Sequence, residues 1–100
     1  MEKQWEIQYN KLIFKKDFKK IPEGEQRKIV KTINKKLKKD PEAFGKPLTG
    51  NLKGYYRLRI DPYRVIYRIE KNKIIVYIIH IGLRKDFLVY IEAAKRLHLI

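Results

Sequence analysis

Two turns only two residues long, Asp61-Pro62 and Lys71-Asn72, separate three strand-like runs at about Lys53–Ile60, Tyr63–Glu70 and Lys73–Ile81. Connections this short join antiparallel neighbours, so this part of the chain predicts a three-stranded meander. Alternation puts Tyr55, Arg57 and Arg59 on one face of the first strand and Tyr56, Leu58 and Ile60 on the other. With an even loop at Asp61-Pro62, Arg59 faces Arg64 across the ladder and Arg68 falls near Tyr55. Like charges directly opposite each other cost stability. A hairpin shaped by folding alone would avoid that pairing, and the cluster suits a polyanion, phosphate first.

The rest of the chain supplies what covers such a sheet. Trp5–Tyr9 alternates apolar and polar residues and reads as a first short strand, with Asn10 placed to cap the next segment. From Lys11 to Lys20, Phe14, Phe18 and Ile21 recur at helical spacing while Lys15, Lys16, Lys19 and Lys20 fill the other face. Pro22 breaks this pattern and can start a second helix, Glu23–Lys39, with Ile29, Val30, Ile33 and Leu37 on one stripe. Its acids lie at the amino-terminal end and its lysines at the carboxy-terminal end, matching the helix dipole. Asp40-Pro41 ends it. The two helices predict an antiparallel hairpin lying on the sheet. Glu42–Gly54, with Gly45, Pro47, Gly50 and Gly54, reads as an irregular loop. Gly82 is read as the end of the last strand. Asp86–Leu97 carries Phe87, Tyr90, Ile91, Ala94 and Leu97 as the apolar stripe of a final helix. The order β-α-α-β-β-β-α gives an α+β class: an N-terminal strand, a helical hairpin, a three-stranded antiparallel meander and a C-terminal helix, expected as a single domain over residues 1–100.

Composition narrows the chemistry. A formal charge of +14 in 100 residues draws the protein toward nucleic acid, an anionic membrane or an acidic protein, without choosing among them. Six of the seven arginines, all but Arg27, lie at or beyond Arg57, whereas lysine dominates the first half. Lysine-rich helix faces are usually solvated surface. Arginine's planar fork suits bidentate contact with phosphate. The absence of cysteine excludes a disulfide framework and a thiolate nucleophile, in keeping with a reducing cytoplasm. The charged start, Met1 to Glu6, is unlike a signal peptide, and Ile74–Ile79 is far shorter than the ~20 residues of a membrane-spanning helix. A cytoplasmic protein without a membrane partner is the expectation. Asp and Glu are scattered, and no histidine–carboxylate spacing resembles a metal ligand set. No metal and no cofactor is expected. Gly50 and Gly54 lack the spacing and the Lys-Ser/Thr pair of a phosphate-binding loop.

The run Pro47-Leu48-Thr49-Gly50-Asn51-Leu52-Lys53-Gly54-Tyr55-Tyr56-Arg57-Leu58-Arg59-Ile60, then Tyr63–Tyr67, then Ile81-Gly82-Leu83-Arg84-Lys85-Asp86-Phe87-Leu88-Val89-Tyr90, resembles the RelE/ParE superfamily of prokaryotic toxins. The likeness covers essentially the whole chain, because the helical hairpin and meander match that fold in order and length. RelE-like members are ribosome-dependent messenger RNA endonucleases, and ParE-like members poison DNA gyrase. By resemblance to the RelE branch, Arg57 and Arg59 stand at basic positions where several relatives have lysine, and Arg64 is the arginine of the next strand. Arg84 and Tyr90 keep the family's spacing from Gly82 and favour RelE over ParE. Asp86 and Phe87 depart from the basic or polar residues of some RelE proteins. The resemblance implies a toxin of a type II toxin-antitoxin system, with a RelB-like antitoxin, the ribosome and messenger RNA as partners. Gyrase inhibition and an inactive basic RNA-binding module are the alternatives.

Cleavage by attack of a 2′-hydroxyl needs a base, charge stabilisation at the phosphorane and a proton for the departing oxygen. Arg57, Arg59, Arg64 and Arg84 can supply the second requirement. None can act as the base, because arginine keeps its proton. Tyr90 has three readings: a phenolate base under guanidinium charge, a stacking platform for a nucleobase, or a packing residue on the apolar stripe of its own helix. His80 is read as structural, on the Tyr63, Val65 and Tyr67 face opposite the arginines, and His98 lies in the tail. Tyr56, Tyr63 and Tyr67 are assigned to the core.

Overall fold

The computed structural model describes residues 4–85 and 87–99. Five strands form one sheet in the order β1-β5-β4-β3-β2. Glu6–Tyr9 (β1) runs parallel to Ile75–Leu83 (β5), with Glu6 beside Ile75. Tyr63–Glu70 (β4) is antiparallel to β5 and to Tyr55–Ile60 (β3). The β3–β4 register matches the sequence reading, with Arg59 paired to Arg64 and Tyr55 to Arg68, but the β4–β5 turn, read as Lys71-Asn72, runs from Lys71 to Ile74, so Glu70 pairs with Ile75. The Asp61–Pro62 peptide in the β3–β4 turn is cis.

The stretch read as an irregular loop contains three short elements. Asp40 accepts from the Ala43 amide at 3.1 Å and caps a single helical turn, Pro41–Phe44 (α2). Lys46–Pro47 (β2) then pairs with Arg57 and Tyr56, and Gly50–Leu52 closes a 3-10 turn. Gly45 is forced to be small, because a Cβ there would fall on the Tyr67 hydroxyl, which donates to the Pro41 carbonyl at 2.5 Å.

One sheet face packs on the helical hairpin. Its second helix, Glu23–Lys36 (α1), ends three residues before the expected Lys39 and buries Ile29 and Ile33, with Leu37 as its cap residue. Each contributes roughly 2 kcal/mol by leaving water. The first helix is less regular than its periodicity implies: a π turn, Ile13–Asp17, runs into a 3-10 turn, Phe18–Lys20. The wider π turn leaves Ile13, Asp17 and Phe18 all buried. Gln26 donates to the carbonyls of Phe18 and Ile21 at 2.6 and 2.7 Å, which closes the tight connection. Leu58, Ile60, Tyr63, Val65 and Tyr67 complete this core, and Tyr56 stacks on Tyr67 with ring centroids 5.6 Å apart.

Leu88–Arg96 (α3) covers part of the opposite face and forms a second core from Leu52, Ile66, Val89, Ala93 and Ala94. The buried stripe matches the expected one in part, since Ala94 is buried and Tyr90 and Leu97 pack against this core. Phe87 is 76% exposed and Ile91 43%, while Val89 and Ala93 face the sheet. Phe87 caps the helix in the left-handed conformation, φ 63°, and its ring stands exposed at this sharp entry. The expected first residue, Asp86, lies outside the described residues. Gly82 lies inside β5 instead of ending it, and a Cβ there would sit 3.0 Å from His80 Nε2 and 3.3 Å from Val89 Cγ2, so the glycine lets α3 approach. No helix among the described residues is long and apolar enough to cross a membrane.

Candidate nucleic-acid cleft

Because α3 shares its face with the arginines, a cleft of about 600 Å³ opens between them. Arg57 comes from β3, Arg64 from β4, Arg84 and Lys85 from the segment after β5, and Val89 and Tyr90 from α3, with Leu48, Thr49, Leu52 and Phe87 as apolar and polar walls. The Arg84 amide donates to the Pro62 carbonyl at 2.8 Å, tying this segment to the β3–β4 turn. Four of the five residues singled out from sequence, Arg57, Arg64, Arg84 and Tyr90, therefore line one cavity. Arg59 does not: it is exposed beyond the cleft wall. Arg68 is also separate, with its guanidinium carbon 4.7 Å from the Tyr77 ring centroid.

Within the cleft the arginines differ in kind. Arg64 is only 2% exposed, and its Nη1 donates to Asp61 Oδ1 and to the Tyr63 carbonyl, each at 2.9 Å. The hydrogen bond from Arg64 holds the Asp61 carboxyl below its ordinary value, and the charges of Arg59, Arg64 and Arg84 add to the effect. The turn carboxylate thus offsets part of the repulsion that the Arg59–Arg64 pairing implies. Tyr90 is half-buried, and its ring lies 6.4 Å from that of Phe87. Among the described residues no three His, Cys, Asp or Glu side chains are grouped to hold a metal ion.

Behind the cleft, under α3, lies a buried polar cluster. Arg96 donates to both Asp17 oxygens, Nη1 at 2.7 Å and Nη2 at 2.9 Å, and Asp17 Oδ2 also accepts from the Ile81 amide at 3.0 Å. Burial pushes the Asp17 carboxyl up, but contact with His80 and bonds from Arg96 and Ile81 outweigh it and hold it below the usual carboxylate range. His80 is 2% exposed. Its Nδ1 lies 3.2 Å from Asp17 Oδ2 and its Nε2 3.4 Å from Glu92 Oε2, although neither contact has the angle of a good hydrogen bond. His80 does not lie on the Tyr63, Val65 and Tyr67 face expected for it. A register shift between Ile66 and Tyr67 pairs Ile66 with His80 and Tyr67 with Ile78, which turns the imidazole to the α3 face. Asp17 and Arg96 escaped the sequence reading. Asp17 sits in a lysine run, and nothing local signals a partner 79 residues away.

Comparison with known proteins places this geometry in context. Residues 11–87 match the family described as ParE toxin of type II toxin-antitoxin system, parDE. The mRNA interferase toxin RelE of Escherichia coli is 33% identical over 89 residues, covering 81% of this chain and 94% of its own length. Toxin RelE of Mycobacterium tuberculosis is 35% identical over 69 residues, covering 69% and 71%. Among solved structures, a chain of the toxin-antitoxin complex RelBE2 from Mycobacterium tuberculosis aligns with a TM-score of 0.75 at 26% identity, over 83% of this chain and 94% of that one. The archaeal RelE-RelB complex from Pyrococcus horikoshii gives 0.64 at 24% identity, over 83% and 98%, a likeness of fold.

Proposed function

We propose, from the premise that this chain belongs to the RelE/ParE superfamily of type II toxin-antitoxin toxins, that it is a ribosome-dependent endoribonuclease that cuts messenger RNA in the A site. The observation that carries the reading is the cleft gathering Arg57, Arg64, Arg84, Lys85 and Tyr90 around one cavity. Guanidinium groups fixed around a phosphate stabilise the extra negative charge of a phosphorane, so attack by the neighbouring 2′-hydroxyl needs no metal. The half-buried Tyr90 contacts the substrate either as phenolate base or as stacking platform. Beside Tyr90, Lys85 is the cleft's other side chain able to exchange a proton, and the ribosome is the part that completes or orders the reaction. A RelB-like antitoxin is the neutralising partner, in keeping with relatives solved as RelB–RelE complexes.

Primer extension on a messenger RNA, with and without programmed ribosomes, tests this. Cleavage should appear only with ribosomes and should fall by about 10²-fold or more in Arg84→Ala with ribosome binding retained. Intact RNA in every lane together with inhibited supercoiling would move the protein to the gyrase-directed branch.

A further inference from the structure

We propose that Asp61 is a positioning residue of the cleft, tethering the Arg64 guanidinium so that its remaining edge meets the scissile phosphate. The inference rests on the nuclease reading above. The two Nη1 protons of Arg64 go to Asp61 Oδ1 and the Tyr63 carbonyl, each at 2.9 Å. Among the described residues, Nε and Nη2 donate to no protein group, and together they form the other edge of the planar fork. That edge suits a bidentate phosphate contact. Arg64 is buried and lines the cleft, whereas the Asp61 side chain is 69% exposed at the turn. The carboxylate therefore acts from outside, through the guanidinium, on what the cavity presents.

The sign of the effect separates this role from simple electrostatics. A carboxylate beside a polyanion site repels the ligand, so its removal should tighten binding and leave turnover equal or faster if charge were all that mattered. A tether predicts the reverse for turnover, because a misplaced catalytic group slows the chemical step even where binding improves.

Single-turnover cleavage on programmed ribosomes, with ribosome affinity measured separately, tests the proposal in Asp61→Ala, Asp61→Asn, Arg64→Ala and the Asp61→Ala/Arg64→Ala double variant. The expected result is a rate about tenfold lower in Asp61→Ala with affinity equal or tighter, within the range that misplacement produces. Asp61→Asn, which keeps an acceptor, should lose less, and Asp61→Ala should add no further loss once Arg64 is gone. An unchanged or faster Asp61→Ala, or losses that multiply independently in the double variant, overturns the proposal. Nitrogen-detected NMR of the Arg64 guanidinium reads the tether without any RNA: slow rotation about the Cζ–Nη1 bond in the wild-type protein, lost in Asp61→Ala, supports it, and fast rotation in both overturns it. A wild-type protein that cuts no RNA while showing the slow rotation would instead overturn the nuclease reading and, with it, the catalytic purpose assigned to the tether.

Discussion

The Tyr63 phenol shows how one side chain can carry both packing and a pH response. It is buried in the core and donates to the Glu25 carboxylate, and that bond, with burial and the Glu25 charge added, pushes its pKa up to about 12. A raised phenol contributes stability that is complete below the ordinary value of 10.0 and is lost as pH climbs toward about 12. Tyr63→Phe should therefore be about 1–2 kcal/mol less stable in denaturant melts at neutral pH and should show a shallower decline between those two values. Tyr90 carries a sharper alternative. If its phenolate is the base, Tyr90→Phe should lose cleavage by about 10²-fold or more, whereas a stacking role leaves Phe nearly as active. Arg59, exposed outside the cleft, should matter less than Arg57: single-turnover rates of the two alanine variants should differ by at least about tenfold.

At the scale of elements, α3 is held by charge as much as by apolar contact. Only Val89, Ala93 and Ala94 are buried on it, so the Asp17–Arg96 pair fixes its seat on the sheet. Asp17→Asn leaves a largely buried guanidinium without its carboxylate and should cost about 3–5 kcal/mol, read by urea unfolding, with the largest rise in hydrogen exchange along α3. As pH falls below the ordinary carboxylate value the wild-type protein should lose stability, because the Asp17 pKa is lowered in the folded state. This seat is where sequence reasoning ran short. The β3–β4 register followed from alternation and the length of the Asp61-Pro62 turn, and it placed Arg57 and Arg64, whereas the β4–β5 turn was read two residues too short. The His80 face did not follow, because a single extra residue in β5 reverses every side chain beyond it. The α3 stripe was legible only in part: Ala94, Tyr90 and Leu97 meet the core as read, but Phe87, Ile91 and Val89 are all apolar, and nothing in their sequence says that Val89 alone points inward.

Over the whole molecule, the charge of +14 is divided between a cleft and two lysine-rich helices. If only Arg57, Arg64, Arg84 and Lys85 touch phosphates, affinity for a short single-stranded RNA should fall with salt along a log–log slope near about −3, at roughly 0.7 per neutralised phosphate. A markedly steeper slope would bring the helices' lysines into the contact. Composition revealed the attraction to polyanions but not this division, since Arg59 and Arg68 look equivalent to Arg64 until the fold separates them. The same fold also ties the chain's early and late parts together: β1 lies beside β5, and Asp17 is closed on by Arg96. These long-range pairings set an order of assembly during synthesis, because α3 cannot seat until Arg96 has left the exit tunnel, and with it Tyr90 has no fixed wall. A growing chain therefore carries Arg57, Arg64 and Arg84 past the ribosome before they form a cleft, which delays any assembled site until α3 has closed on Asp17.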